Sequence, residues 1–317
     1  MPPVRTVSPF MVTLAESLIK ERDIEESTAT SYIKILMNLN NGKPFNNLSF
    51  LKYKDAVMAK LSTYSESTQK STLGTIVAVL TSLKDKATYK SLYNFYYERM
   101  SDASKEARSA DTTEKTKTQK MNWVEWDDII KKRAEMEKNL PTSKTKLLTV
   151  ESYNNLLSYV ILSLYTMIPP RRNLDYQNLF VVKKWDDKMD KSKNYYDLAT
   201  DKLIFNKYKT SKAHGQQEID ISNNEELLKA LTIFIHFHPD KKKPEYRLLV
   251  SINGAPLTSI NSITRILNKV FEKNVGSTMI RHVYLSDKYK LDMDEMKKDA
   301  DAMGHTLSTQ RDYIKTD

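Results

Sequence analysis

The chain has 317 residues, 40% of them hydrophobic, with 50 Lys and Arg against 40 Asp and Glu and a formal net charge of +10. That length and apolar content suit two domains, each with a core of its own, and exclude a disordered chain. Cysteine is absent, which excludes disulfides, thiolate metal sites and a Cys nucleophile; with six glycines in all, a glycine-rich phosphate cradle is not expected.

The first hundred residues read as helical. Phe10 to Ile24 carries Phe10, Val12, Leu14, Leu18 and Ile19 near helical spacing. Ser27 is placed to cap STATSYIKILMNLN, whose stripe of Tyr32, Ile33, Ile35, Leu36 and Leu39 stops at Asn40-Asn41-Gly42. Ala56 to Leu61 is a shorter helix, Ser65 or Ser67 opens the long one that follows, and Tyr89 to Tyr97 is rich in aromatics. These make an all-helical domain over 1–102. The stretch 103–120 is polar, with little large apolar content, and reads as a linker that could be helical at its start.

Residues 121–317 read as a mixed second domain. Trp123, Val124, Trp126 and Ile129-Ile130 fall on one helix, and Ser152 to Met167 is an apolar helix ended by Pro169-Pro170. Leu179 to Val182 predicts a strand. Leu203-Ile204-Phe205, continuing to Lys209, pairs with Glu218 to Ser222 across a turn containing His214-Gly215. Helical spacing returns at Glu225 to Phe237, Ser259 to Phe271 and Lys288 to Met303. The expected fold class is therefore mainly α with a small antiparallel β-sheet, α+β.

A net charge of this size favours a polyanionic partner, because neutralising phosphates releases counterions. The absence of cysteine fits a reducing, intracellular compartment. The first residues lack the build of a signal peptide, and no apolar run reaches the roughly 20 residues of a membrane span. His236 and His238 have no third ligand in view and read as ordinary helix-end residues.

Chemistry on a phosphate without a metal needs cations for the developing charge, a proton donor and a nucleophile. The second half offers Arg171-Arg172, Lys209 and Lys212 in NKYKTSK, Arg281-His282 in TMIRHVYLS, and His305 with Tyr313 in MGHTLSTQRDYIK. In that order these residues resemble the catalytic domain of the tyrosine recombinases, the phage-integrase family, over roughly 145 to 317. Arg172 with Asp175 and Leu179 matches the family's first arginine box, with Arg171 as the other register. Lys209-Thr210 matches the hairpin lysine better than Lys212, Thr278 to His282 the second arginine box, and Met303-Gly304-His305 followed by Tyr313 the last. Each motif is weak alone; the signal is their joint order. Two departures stand out. Thr278 holds a place where the family usually has His or Lys, and the spacing from His305 to Tyr313 is one residue shorter than the commonest form.

The resemblance implies a core-binding, SAM-like helical domain followed by a catalytic domain that clamps double-stranded DNA. It implies cleavage through a 3′-phosphotyrosyl bond on Tyr313, with no cofactor and no metal. Arg172, Arg281 and His305 would hold the non-bridging oxygens, Lys209 would protonate the leaving 5′ oxygen, and His282 would support Arg281. It further implies a homotetramer on DNA. Only Ile314 to Asp317 follow Tyr313, so contacts that many relatives make through a longer C-terminal helix would fall to other elements. A type IB topoisomerase, or a non-catalytic DNA-binding protein on the same scaffold, is the alternative.

Overall fold

The computed structural model of the chain describes residues 7–83, 87–109, 115–142, 145 and 147–303. It falls into two compact units divided between Glu114 and Lys115. No helix among the described residues is long and apolar enough to cross a membrane.

The described part of the first unit contains no strand. Helix α1 (Pro9–Arg22) starts where Ser8 Oγ accepts the Met11 N–H, with Pro9 in the first turn, where its missing N–H costs nothing. Helix α2 (Glu26–Leu39) starts one residue before Ser27, which therefore lies inside the first turn and is not the cap. Asn41 and Gly42 both take positive φ, 57° and 75°, and the Gly42 N–H returns to the Met37 carbonyl at 2.8 Å, closing the helix.

A 3-10 turn at Ser49–Lys52 leads to α3 (Lys54–Leu61), α4 (Glu66–Thr81) and α5 (Ala87–Ser109). The α5 helix thus continues through the beginning of the stretch read as linker. Buried Met11, Leu18, Leu36, Leu51, Ile76, Leu80 and Tyr96 form the core. The Tyr96 hydroxyl donates to the Leu51 carbonyl at 2.8 Å, and burial pushes its pKa up to about 12.

The second unit opens with α6 (Lys117–Asn122), held by a reciprocal cap between Thr116 and Gln119, and α7 (Trp126–Glu137). Trp123 is extended, with ψ 138°, so the helix expected across residues 121–130 is two helices with a break. The central helix α8 (Val150–Thr166) is buried along most of its length and packs against α7, α11 (Glu225–His236) and α12 (Ser262–Phe271). Helices α13 (Ser277–Lys288) and α14 (Lys290–Met303) end the described chain.

After α8 come α9 (Asn173–Gln177), β1 (Leu179–Val182), β2 (Asn194–Asp197), β3 (Lys202–Phe205), α10 (Ser211–His214) and β4 (Gln217–Asp220); β5 (Glu245–Arg247) follows α11. The sheet order is β4-β3-β2-β1-β5. Here the expectation of an antiparallel sheet is corrected: β1 and β2 run parallel, Leu179 opposite Asn194, while the other three pairings are antiparallel. The hairpin arm is also shorter than expected. Strand β3 ends at Phe205, four residues before Lys209, and the connection containing His214-Gly215 is a loop that carries α10.

Side-chain alternation divides the sheet faces. Leu179, Val181, Tyr196, Leu203 and Phe205 join the α8 core. Val182, Tyr195 and Ile204 point the other way, where Phe180, Trp185 and Met189 cover them. Trp185 and Met189 belong to the crossover between β1 and β2, so that connection folds over the outer face.

Candidate active site

The site begins where α8 stops. Pro169 and Pro170 cannot continue the helix, and the chain emerges as Arg171-Arg172 before α9 restarts with Arg172 as its N-cap. The two arginines have different environments. Arg171 Nε donates to the buried Asp175 carboxylate at 3.1 Å, and its NH1 donates to Gln217 Oε1 at 2.9 Å. Its guanidinium lies 3.9 Å from the Phe205 ring centroid and 4.9 Å from that of Tyr208. Burial raises the Asp175 pKa above the ordinary carboxylate range, and the Arg171 cation opposes that rise. Arg172 caps α9 through its carbonyl, which accepts the Asp175 N–H at 3.0 Å. Its side chain is half-buried and lines a cleft of about 280 Å³.

Arg281 enters this cleft from α13. Its Nε donates to the Ser277 carbonyl at 3.4 Å and its NH2 to Thr278 Oγ1 at 3.1 Å, contacts one helical turn back that hold the guanidinium against the helix. Arg171, Arg172 and Arg281 thus share one cleft, with Asp175 the one carboxylate on its lining among the described residues. Three guanidinium groups against one carboxylate favour an anion. Forked N–H donors suit the oxygens of a phosphate in a way a lysine ammonium cannot copy.

Lys209 is exposed and does not line the cleft, although its neighbours Tyr208 and Thr210 do; Lys212, on α10, is exposed as well. Thr278 and His282 stand one turn apart on α13 and line a neighbouring cleft of about 390 Å³ with Asn173 and Ser277. His305 and Tyr313 lie outside the described residues. Among the described residues no three His, Asp or Glu side chains gather as a metal-binding group. His238 is buried, its Nδ1 accepting the Asp240 N–H at 3.0 Å, which is a structural role within the β5 region.

Several residues that shape the cleft went unread in the sequence. Asn194, fully buried at the start of β2, donates to the Asp175 carbonyl at 2.9 Å and to the Lys207 carbonyl at 3.0 Å, and accepts the Lys207 N–H at 2.8 Å. It ties the arginine turn to the segment leaving β3. Tyr208 donates to the Gly215 carbonyl at 2.8 Å, and Gln217 accepts from Arg171. Asn173 accepts from the Tyr165 hydroxyl at 2.8 Å and donates to Thr264 Oγ1 at 2.9 Å, fixing α9 between α8 and α12. The Tyr165 phenol is held well above its ordinary pKa, chiefly by burial. The strand expected at Glu218 to Ser222 lies at Gln217–Asp220, one residue earlier at its start, and so includes Gln217.

Comparisons with family models, with curated proteins and with solved structures return no match.

Proposed function

We propose that this chain breaks and rejoins double-stranded DNA through a covalent phosphotyrosyl bond on Tyr313, acting as a site-specific recombinase. The observation that carries the reading is the meeting of Arg172 and Arg281 in one polar cleft, although more than a hundred residues separate them in sequence. Two forked cations lining one cleft suit a pentavalent phosphorus, whose charge spreads over its non-bridging oxygens. The excess of basic residues supports the same substrate class.

In this reading the Tyr313 oxygen attacks the scissile phosphorus, the strand is held as a 3′-phosphotyrosyl ester, and a 5′ hydroxyl departs. The ester conserves the bond energy, so rejoining needs no ATP. His305 adds a hydrogen bond to the phosphate oxygens. Exchange between two duplexes needs several protomers, and the reading includes a homotetramer on DNA.

The test is covalent capture on a nicked suicide duplex carrying the chain's own site, with the attached residue mapped by mass spectrometry. Wild type forms the adduct at Tyr313 and Tyr313→Phe does not, while both bind the duplex alike. An adduct on another residue, or none with wild type, overturns the reading. Efficient plasmid relaxation with no recombinant product assigns the chemistry to a topoisomerase.

A further inference from the structure

We propose that His214 is the proton-transfer residue of this cleft, giving a proton to the departing 5′ oxygen in cleavage and taking it back in rejoining. The proposal rests on the DNA-rejoining reading above and deepens it. Three arginines supply charge to the cleft, but a guanidinium does not release its proton near neutral pH. A leaving alkoxide needs a donor that titrates in that range, as imidazole does. Among the described residues His214 is the one histidine on the cleft lining, and Lys209 is not part of it.

His214 is exposed, as Lys209 is, but unlike Lys209 it lines the cleft, and the local backbone holds it there. It ends α10, where its N–H donates to the Thr210 carbonyl at 3.1 Å. Gly215 follows with φ 66°, a conformation that costs glycine little and turns the chain sharply. Tethers flank it on the C-terminal side: Tyr208 Oη on the Gly215 carbonyl at 2.8 Å, and Arg171 on Gln217 Oε1 at 2.9 Å. Both tethering side chains line the cleft themselves. The charged and titratable groups around it are Arg171, Arg172, Asp175 and Tyr208 on one side, Arg281 of α13 on another, and Lys209 and Lys212 on its own segment.

The step balances as follows. The Tyr313 phenol loses its proton to solvent as its oxygen forms the new P–O bond. The P–O5′ bond breaks with its electron pair on O5′, and O5′ takes the proton of the His214 imidazolium. The products are the tyrosyl phosphodiester, a free 5′ hydroxyl and neutral imidazole. Rejoining reverses each transfer.

The experiment uses the full chain and two suicide duplexes, one with an ordinary scissile phosphate and one with sulfur replacing the bridging 5′ oxygen. A thiolate leaves without a proton. Expected is a loss of at least about 10²-fold in cleavage rate for His214→Gln on the ordinary duplex and near wild-type cleavage on the sulfur duplex. Lys229→Ala, away from the cleft, changes neither rate by more than a few fold, and any defect of Lys209→Ala is the same on both duplexes. The proposal is overturned by wild-type rates for His214→Gln on ordinary DNA, by equal loss on both duplexes, or by a sulfur-rescued defect in Lys209→Ala. Wild type that forms no adduct on either duplex fails the underlying reading itself, which the wild-type arm alone reports.

Discussion

Arg171 Nε and Asp175 Oδ2 stand 3.1 Å apart with the carboxylate side chain only 3% exposed, and this pairing separates the roles of two consecutive arginines. Arg171 is spent on Asp175, Gln217 and the rings of Phe205 and Tyr208. Among the described residues no hydrogen bond or ion pair engages the Arg172 guanidinium, so this is the one left for a ligand.

The first prediction follows from that division. Arg171→Ala strands a buried carboxylate and costs roughly 3 kcal/mol, about 10 °C in melting temperature for a unit of this size. Arg172→Ala leaves the melting temperature within a degree or two and, on the proposed recombinase reading, lowers DNA cleavage by about 10²-fold or more. Thermal unfolding and single-turnover cleavage check both, and equal melting temperatures for the two variants would contradict the assignment.

Binding to duplex DNA gives a second measurement. If Arg172 and Arg281 each neutralise a phosphate, replacing either with Gln makes the slope of log K against log salt shallower by about 0.9. Lys229, which pairs with Glu137 at 2.9 Å and does not line the cleft, serves as the control. An unchanged slope for Arg281→Gln would place that residue off the phosphate path.

The pH dependence of stability is set in part by His238. Burial lowers its pKa below the ordinary histidine value, with Asp240 opposing. The folded state therefore binds its proton less readily than the unfolded state, whose imidazole titrates near ~6.5. Stability from this group is fully present above about pH 6.5 and is lost as pH falls below it. Urea midpoints between pH 7.5 and 5.5 fall for wild type and fall less for His238→Asn; parallel curves would sink the assignment.

Asn194 is the fourth. Its removal breaks three hydrogen bonds and takes the amide donor from the buried Asp175 carbonyl, so Asn194→Ala costs about 2–4 kcal/mol. Asn194→Asp is at least as costly, because a carboxylate then faces two carbonyls. Faster proteolysis within residues 206–216 is the expected companion, and an intact loop in the Ala variant would argue against the tie.

The long helices were legible because they bury apolar residues at helical spacing, as Ile33, Leu36 and Met37 do in α2, whereas the short α6, α9 and α10 were not read. Strand β2 was not legible either. All four residues of NYYD are buried, so no alternation marks it, and its polar ends resemble a loop. The three residues of β5 are too few to carry a pattern. Lys209 was read onto the hairpin arm because nothing in NKYKTSK announces that Asn194 draws the Lys207 backbone away from the ladder. The choice between Arg171 and Arg172 depended on where α9 begins, since that decides which arginine meets Asp175. By contrast, the separation of Arg281 from His282 follows from 100° per residue: Ser277 and Arg281 share one line of α13, Thr278 and His282 the next.

The crossover from β1 to β2 spans eleven residues, 183–193, close to the shortest chain that can return to start a parallel strand. Such a strap has no slack. Inserting or deleting one residue moves the register of β2, and with it the amide that anchors the arginine turn. Loop lengths elsewhere can drift under mutation, whereas this interval cannot without loss of the cleft. Distant kin built on the same device would therefore keep the distance from the second arginine to the buried asparagine, even where their letters no longer agree.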